Sequence, residues 1–260
     1  MTRDLDARRI ERELERAGVV LGRPLSIADV TGSTNDDAKA AAETGAVSGA
    51  AFIADAQTAG RGRLGRAWHS PPGENLHASF VLRPDLPASV IPCVALAAGL
   101  AVADAIAPLT AEPVRLKWPN DVLAAGRKIA GVLCEAHVAR GRTVVVVGIG
   151  INVRTTVFPP DLAENATSLA IAGAKHLDRS SLFISLATAL STRAAMLRDD
   201  LGRIMRDFSA IDAIAGREVL LDGQPVVAIG VAPDGRLRVR DADGTERNCA
   251  AADVSLSSRA

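Results

Sequence analysis

The chain has 260 residues, 48% of them hydrophobic, and its 30 basic and 30 acidic side chains give a formal net charge of zero. The length suits one generous domain, or one domain with a small appendage, and the apolar content excludes a largely disordered chain. Balanced charge argues against a protein that coats DNA or RNA, so any basic cluster must serve local chemistry.

The cysteines and the apolar segments indicate a cytoplasmic protein that does not cross a membrane. The start of the chain is charged and lacks the apolar run of a signal peptide. The most apolar stretch, 89–109, contains Pro92 and Asp104, which favours a buried helix over a membrane span. The three cysteines, Cys93, Cys134 and Cys249, form neither a disulfide framework nor a CxxC metal pattern, which is typical of a protein in a reducing cytosol.

Hydrophobic spacing predicts helices and strands without a strict strand–helix–strand alternation. In chain order, the predicted elements are a helix over 5–17, a strand over 24–30, a helix capped by Ser33 or Thr34 and ending at Gly45, a buried strand over 50–56, a half-buried strand over 76–82, a helix over 88–107, a strand over 114–117, a hairpin over 122–138 turned at Ala125-Gly126, a central strand over 144–147 and two helices between 180 and 214. This mixture favours an α+β fold over a doubly wound α/β fold.

The pattern of turns and apolar runs in the sequence changes near Gly216. From there Asp-Gly recurs at 222–223, 234–235 and 243–244, between short runs of alternating apolar residues. Asp-Gly between such runs is a strong hairpin signal. The sequence therefore predicts a small β-barrel module over 216–258.

A loop rich in arginine and glycine, GRGRLGRAW over 60–68, is the most informative segment. Glycine lets backbone amides approach a ligand, and arginine offers a planar donor fork to carboxylate or phosphate. The loop also contains GxGxxG, but a dinucleotide site needs a helix to start there, and Pro71 and Pro72 oppose one. The loop could also be a solvated turn without a ligand. Trp68 at the end of the loop and the glycines between its arginines argue against that interpretation.

The segment Lys-Trp-Pro-Asn-Asp over 117–121 is the second candidate binding motif. Asn120 and Asp121 can present oxygens to a cation or to hydroxyls, although an ordinary Pro-Asn-Asp turn is an equal alternative. Lys128 by itself would be a solvated surface group. The sequence contains no GxxxxGK[ST] phosphate loop, no GxSxG and no histidines at metal-ligand spacing.

Together, these segments resemble the biotin–protein ligase family from about Ser26 to Ser257. The resemblance rests on five segments with compatible order and spacing, namely Ser33-Thr34-Asn35, GRGRxGRxW, KWPND, Lys128-Ile129-Ala130-Gly131 and Gly148-Ile149-Gly150-Ile151-Asn152. It implies a mixed-sheet catalytic domain of the biotin/lipoate ligase type over 25–215, a helical segment over 1–24 and a small SH3-like β-barrel over 216–260.

The resemblance also implies a two-step reaction. Biotin would be activated by Mg-ATP as biotinyl-5'-AMP and then transferred to a lysine of a carrier domain from acetyl- or propionyl-CoA carboxylase. The residues that it implies at the biotin site are Ser33, Thr34, Asn35, Gln57, Gly60, Arg61, Gly62, Arg63, Lys128, Gly131, Leu133, Gly148 and Gly150.

The resemblance also implies which residues are catalytic and which bind the nucleotide and the metal ion. Lys128, Arg61 and Arg63 would be catalytic, and Asp121 would bind Mg²⁺. The nucleotide would be bound by Arg63, Arg66, Trp68, Lys117, Asn120 and Asn152. Only about 24 residues precede the catalytic pattern, with no helix-turn-helix, so the resemblance implies a ligase without a repressor function and without nucleic acid as a partner. The exposed sheet typical of the family leaves room for a homodimer.

Three alternatives accompany this interpretation. Lipoate–protein ligase is the nearest, and the GRGRxGR loop with KWPND favours biotin over it. A non-catalytic biotin-binding regulator would not need Lys128, Arg61, Arg63 and Asp121. A nicotinamide-binding oxidoreductase would require a helix over 61–75.

Overall fold

The computed structural model describes residues 4–250 and 252–256, and a seven-stranded sheet with the order β1-β2-β3-β7-β6-β5-β4 forms its centre. The strands of this sheet are Leu25–Thr31 (β1), Ala51–Gln57 (β2), Leu76–Leu82 (β3), Val114–Lys117 (β4), Asp121–Ala124 (β5), Arg127–Ala139 (β6) and Arg142–Ile151 (β7). The helices are Ala7–Arg16 (α1), Thr34–Thr44 (α2), Cys93–Ile106 (α3), Arg179–Asp199 (α4) and Leu201–Ala210 (α5).

A second sheet follows, made of Glu218–Leu221 (β8), Gln224–Val231 (β9), Leu237–Arg240 (β10), Glu246–Cys249 (β11) and Val254–Leu256 (β12). Its order is β11-β10-β9-β8-β12. Between the strands of the first sheet, only β1 and β2 pair in parallel, and every other pairing is antiparallel. The α+β class and the separate small β module are therefore confirmed.

Local sequence signals explain where several elements begin and end. Asp6 caps α1 by accepting a hydrogen bond from the Arg9 amide. Gly45 ends α2 with φ 106°, a left-handed conformation that glycine adopts without strain. The β5–β6 hairpin turns at Ala125 and Gly126, whose φ values of 48° and 76° fit a tight hairpin turn.

Two expectations differ from the structure. The strand over 76–82 was expected to be half-buried, but every residue of β3 is buried. The strand lies between β2 and β7, with one face in the main core and the other beneath α2 and along the cavity. The helix expected over 88–107 begins only at Cys93, after Pro92. Proline is tolerated in the first turn of a helix but not inside it, so the helix starts beside this residue.

The two faces of the large sheet have different neighbours. One face, with residues such as Phe80 and Val147, packs in the main core that also contains most of α3 and the buried side of α4. On the other face, Val81 and Val146 pack under Ala38 and Ala42 of α2. Helix α2 covers only part of this second face, and the rest is left open for a cavity.

Helix α4 is long and apolar enough to span a membrane by length and composition alone. Its buried residues include Phe183 and Leu186 in the main core, so the fold accounts for its apolar side. The domain boundaries at 24/25 and 215/216 stay predictions, and residues 1–3, 251 and 257–260 of the outer segments lie outside the described residues.

Candidate active site

A cavity of about 300 Å³ lies on the open face of the large sheet, between α2, the arginine–glycine loop and the small β module. The loop contributes Trp68, and the module contributes Asp253 and Val254. Five basic and two acidic side chains line the cavity, namely Arg61, Arg63, Arg66, Lys117, Lys128, Asp121 and Asp253. This excess of positive charge suits an anionic ligand.

Glycines make the room for this cavity. Side chains alternate between the faces of a strand, so Gly148 and Gly150 of β7 leave the open face bare at two successive positions. A Cβ at Gly150 would lie 2.5 Å from the Trp68 ring, and a Cβ at Gly148 would collide with the side chain of Asn35. Gly131 on β6 is similarly close to Trp68 and Lys128, with a Cβ at 3.1 and 3.2 Å.

A hydrogen-bonded network forms one end of the cavity. Gln57 Oε1 accepts from the amide and the hydroxyl of Thr34, at 2.9 and 3.2 Å. Ser79 Oγ lies 2.8 Å from Thr34 Oγ1 and 2.7 Å from Asn35 Oδ1. Asn35 Nδ2 donates to Glu135 Oε2 at 2.8 Å. The polar side chains at this end are thus held in place without a ligand.

A lysine–aspartate–lysine arrangement lies toward the other end. Asp121 Oδ1 is 2.6 Å from Lys128 Nζ, and its Oδ2 is 3.1 Å from Lys117 Nζ. Burial raises the pKa of the Asp121 carboxyl, but Lys128 and Lys117 outweigh this and hold the pKa below its usual value. Lys128 Nζ also lies 5.4 Å from the centroid of the Trp68 ring. The Lys128 ammonium group is therefore positioned by both a carboxylate and an aromatic face.

Asp121 does not fit the expected role of a Mg²⁺ ligand. Both of its oxygens are occupied by lysine ammonium groups, and its side chain is only 13% exposed. A cation beside two ammonium groups would be repelled. Within residues 4–250 and 252–256, no group of three His, Cys, Asp or Glu side chains could hold a metal ion.

The arginine–glycine loop is anchored at three points rather than free in solvent. The guanidinium of Arg61 makes two hydrogen bonds to Asp36 of α2, at 2.5 and 2.9 Å. Arg63 donates to the carbonyl of Ala252 at 3.2 Å, and Arg66 pairs with Asp253. The expected contact of Arg61 with a ligand anion would therefore require this side chain to leave Asp36.

The site residues predicted from the sequence lie together around one cavity. Every expected site residue lines the cavity except Gly60, which lies at the base of the loop and accepts a hydrogen bond from the Trp68 amide. Asn120 and Asn152 use their side-chain amides on backbone, donating to the carbonyls of Val132 and Thr167. The helix that an oxidoreductase would need over 61–75 is absent, since the only helical piece there is a single 3₁₀ turn over Arg63–Gly65.

Other lining residues were missed by the sequence reasoning. His77 lines the cavity, and Ser79, two residues further along β3, contacts the lining residues Thr34 and Asn35. These polar residues at alternate positions were visible beside the apolar alternation used to predict the strand. Phe158 follows the GIGIN segment and lies 6.2 Å from His69, measured between ring centroids. Asp253 reaches the cavity from the β module, and no local pattern marks it.

The sequence is similar to those of known biotin ligases. The model of the biotin/lipoate A/B protein ligase family matches residues 27–152. The biotin–[acetyl-CoA-carboxylase] ligase of Mycobacterium tuberculosis is 38% identical over 94% of this chain and 89% of its own length. The bifunctional ligase/repressor BirA of Bacillus subtilis is 40% identical over 63% of this chain, which spans about half of that protein.

Solved structures of similar fold also include biotin protein ligases. The biotin protein ligase of Aquifex aeolicus in complex with biotin and ATP has a TM-score of 0.77 and 29% identity, covering 90% of this chain and 98% of that one. The Leishmania major enzyme in complex with biotinyl-5-AMP has a TM-score of 0.61 and 26% identity, with 88% and 99% covered.

Proposed function

Since the chain belongs to the biotin protein ligase family, we propose that it activates biotin with ATP as biotinyl-5'-AMP and transfers the biotinyl group to a carrier-protein lysine. One observation carries this proposal, namely the cavity that joins a preformed polar end to a cluster of positive charge. Such a cavity suits a ligand with a polar head, an apolar body and a carboxylate. Lipoate–protein ligase belongs to the same broad family, but the relatives described above are biotin enzymes.

The polar end would take the ureido group of biotin. Thr34, Asn35 and Gln57 are held around the first turn of α2 by one another and by Ser79. Ser33 is buried beside them at the N-cap, with no side-chain bond to the helix. Backbone amides in the first turn of a helix attract an acceptor oxygen, which suits the ureido carbonyl. Gly148, Gly150, Gly131 and Leu133 would form the wall along the ring and the acyl chain.

The basic end would take the carboxylate and the phosphates. In the first step, a biotin carboxylate oxygen attacks the α-phosphorus of ATP, and the bond to the leaving pyrophosphate breaks. Attack by an anion on a polyanion is opposed by charge repulsion, which positioned cations reduce. Lys128 is assigned to this reacting region, with Arg61 and Arg63 at the carboxylate and phosphate and Gly60 and Gly62 in the loop beside them.

The remaining loop and sheet residues would serve the nucleotide. Arg66 and Lys117 supply further charge, and Trp68 supplies an aromatic wall. The side chains of Asn120 and Asn152 hold backbone at the cavity edge, so we assign them to shaping the nucleotide side. Mg²⁺ would arrive bound to ATP phosphates and water, its usual ligands in such enzymes, and we assign no residue to hold it.

In the second step, the lysine amine of the carrier attacks the activated carbonyl, the amide bond forms, AMP leaves with the bonding electrons and the amine loses a proton. A carrier domain of an acetyl- or propionyl-CoA carboxylase is the proposed acceptor. Incubating the protein with biotin, ATP and such a domain should add one biotinyl group to one lysine, detected by mass spectrometry. An unmodified carrier beside accumulated biotinyl-5'-AMP would remove this acceptor but keep the first step. A homodimer, the absence of nucleic acid and a cytoplasmic location stay predictions.

A further inference from the structure

His77 lies in the floor of the cavity, and none of the proposed roles uses it. Its side chain is 1% exposed, and neither Nδ1 nor Nε2 has a hydrogen-bond partner among the described residues. Burial, aided by the nearby Arg179 guanidinium, lowers the pKa of this imidazole to about 4. The ring is therefore neutral near pH 7, with one donor and one acceptor nitrogen. A buried polar group without a partner is rare in native proteins, so a partner is expected on ligand binding.

The strand register places His77 between the two ends of the cavity. Ser79, part of the polar end, is two residues away on the same face of β3, a step of about 7 Å. Opposite His77 in the register is Gly150, over which the Trp68 ring lies. The indole Nε1 of Trp68 also lacks a partner among the described residues. The next residue across the sheet is Gly131 of β6, which pairs with Gly150 and lies beside both Trp68 and Lys128.

This order identifies the part of the ligand that faces His77. With the ureido group at the polar end beside Thr34 and the carboxylate toward Lys128, the middle of biotin is its tetrahydrothiophene ring. The ring sulphur lies on the side of the fused bicycle away from the ureido group and is the one heteroatom there. A thioether sulphur is a weak hydrogen-bond acceptor. The sulphur therefore supplies the acceptor that a buried N–H donor needs.

We propose that His77 is a specificity residue whose imidazole N–H donates a hydrogen bond to the ring sulphur of biotin, an inference that rests on the proposed function. His77 would then select a ring with an acceptor at this position over one without. The competing explanation is an ordered water that satisfies the imidazole whatever the ring atom, since buried waters commonly serve such groups. The two explanations differ in their response to a ligand without sulphur.

The test pairs a change in the ligand with a change in the protein. Biotin and its analogue with a ring methylene in place of sulphur are titrated by calorimetry into the wild-type chain and into His77→Phe. His77→Leu is measured in parallel, so that a variant with the wild-type melting temperature is available. Ser79→Ala is the control, because it should weaken both ligands alike. The ratio of the two dissociation constants within one variant cancels general damage to the cavity.

The wild type should bind biotin about fivefold more tightly than the methylene analogue, as one neutral hydrogen bond allows. His77→Phe or His77→Leu should bring this ratio close to one, while Ser79→Ala leaves it at about five. A wild-type ratio near one, or an unchanged ratio in the folded His77 variant, would overturn the role of His77 and leave the proposed function standing. No binding of biotin by the wild type would overturn both.

Discussion

Oδ1 of Asp121 lies 2.6 Å from Nζ of Lys128, which ties a lysine of one hairpin strand to an aspartate of the other. The second oxygen of Asp121 is 3.1 Å from Nζ of Lys117. The carboxylate thus fixes two ammonium groups before any ligand arrives. Such preorganisation lowers the cost of stabilising negative charge as a reaction proceeds.

Replacing Asp121 tests this positioning. Asp121→Asn should lower kcat for adenylate formation by about 10- to 100-fold, because Lys128 loses the partner that orients it. The KM for biotin should change much less, since the polar end of the cavity is untouched. Asp199→Asn is the control, because Asp199 is an exposed residue paired with Arg198 on α4. An unchanged kcat in Asp121→Asn would show that Lys128 needs no such partner.

The loop arginines should govern how long the adenylate is retained. Arg61→Ala and Arg63→Ala should each speed the loss of bound biotinyl-5'-AMP by about tenfold or more, because each removes charge-assisted hydrogen bonds to the ligand anion. The loss is measured by filter binding after a chase. Arg198→Ala, on the exposed side of α4, should leave the lifetime unchanged. Wild-type lifetimes in both loop variants would contradict the retaining role of the loop.

Gly150 should tolerate no side chain. In Gly150→Ala, the new Cβ would lie 2.5–2.6 Å from the Trp68 ring, so the indole must move from its place in the cavity wall. The KM for biotin should rise at least about tenfold, a loss of roughly 1.4 kcal/mol. Gly99→Ala is the matched control, because its Cβ would be 3.6 Å from Leu116, an ordinary contact. Equal KM values in the two variants would contradict this account of the cavity.

His77 should make stability depend on pH. Its folded-state pKa of about 4 lies below the unfolded value of 6.5, so the unfolded chain binds more protons between these values. Stability should fall as the pH drops from about 6.5 toward 4, by at most about 3 kcal/mol. The charged or titratable groups facing His77 are Arg179, Asp55 and His69, and they are unchanged in His77→Phe. Denaturant titrations should give that variant a flatter profile, and identical slopes would refute the assignment.

Local patterns made much of the fold and the site predictable. The β5–β6 turn was visible in Ala125-Gly126, and the turns of the small module were visible in its Asp-Gly pairs, because turn chemistry depends on adjacent residues. The glycines and arginines of the site were visible for the same reason, since each segment carries its own signal. Their meeting in one cavity followed only from the family resemblance.

Partners from distant segments were not predictable. Asp36 is 25 residues from Arg61, and Asp253 is 187 residues from Arg66, so neither pairing leaves a local trace. The same limit explains Asp121, whose oxygens looked available for a metal in the sequence. Only the three-dimensional structure shows that Lys117 and Lys128 already occupy them.

Exchange of labelled pyrophosphate into ATP is the most direct measurement of the proposed activity, because it reports reversible formation of an acyl adenylate without a carrier protein. We expect biotin-dependent exchange by the wild type and none with lipoate. Lys128→Ala should lose at least about 100-fold of the exchange rate with an unchanged melting temperature, and Lys175→Ala, an exposed lysine, should lose none. Exchange supported by lipoate and not by biotin, or wild-type exchange in Lys128→Ala, would contradict the account.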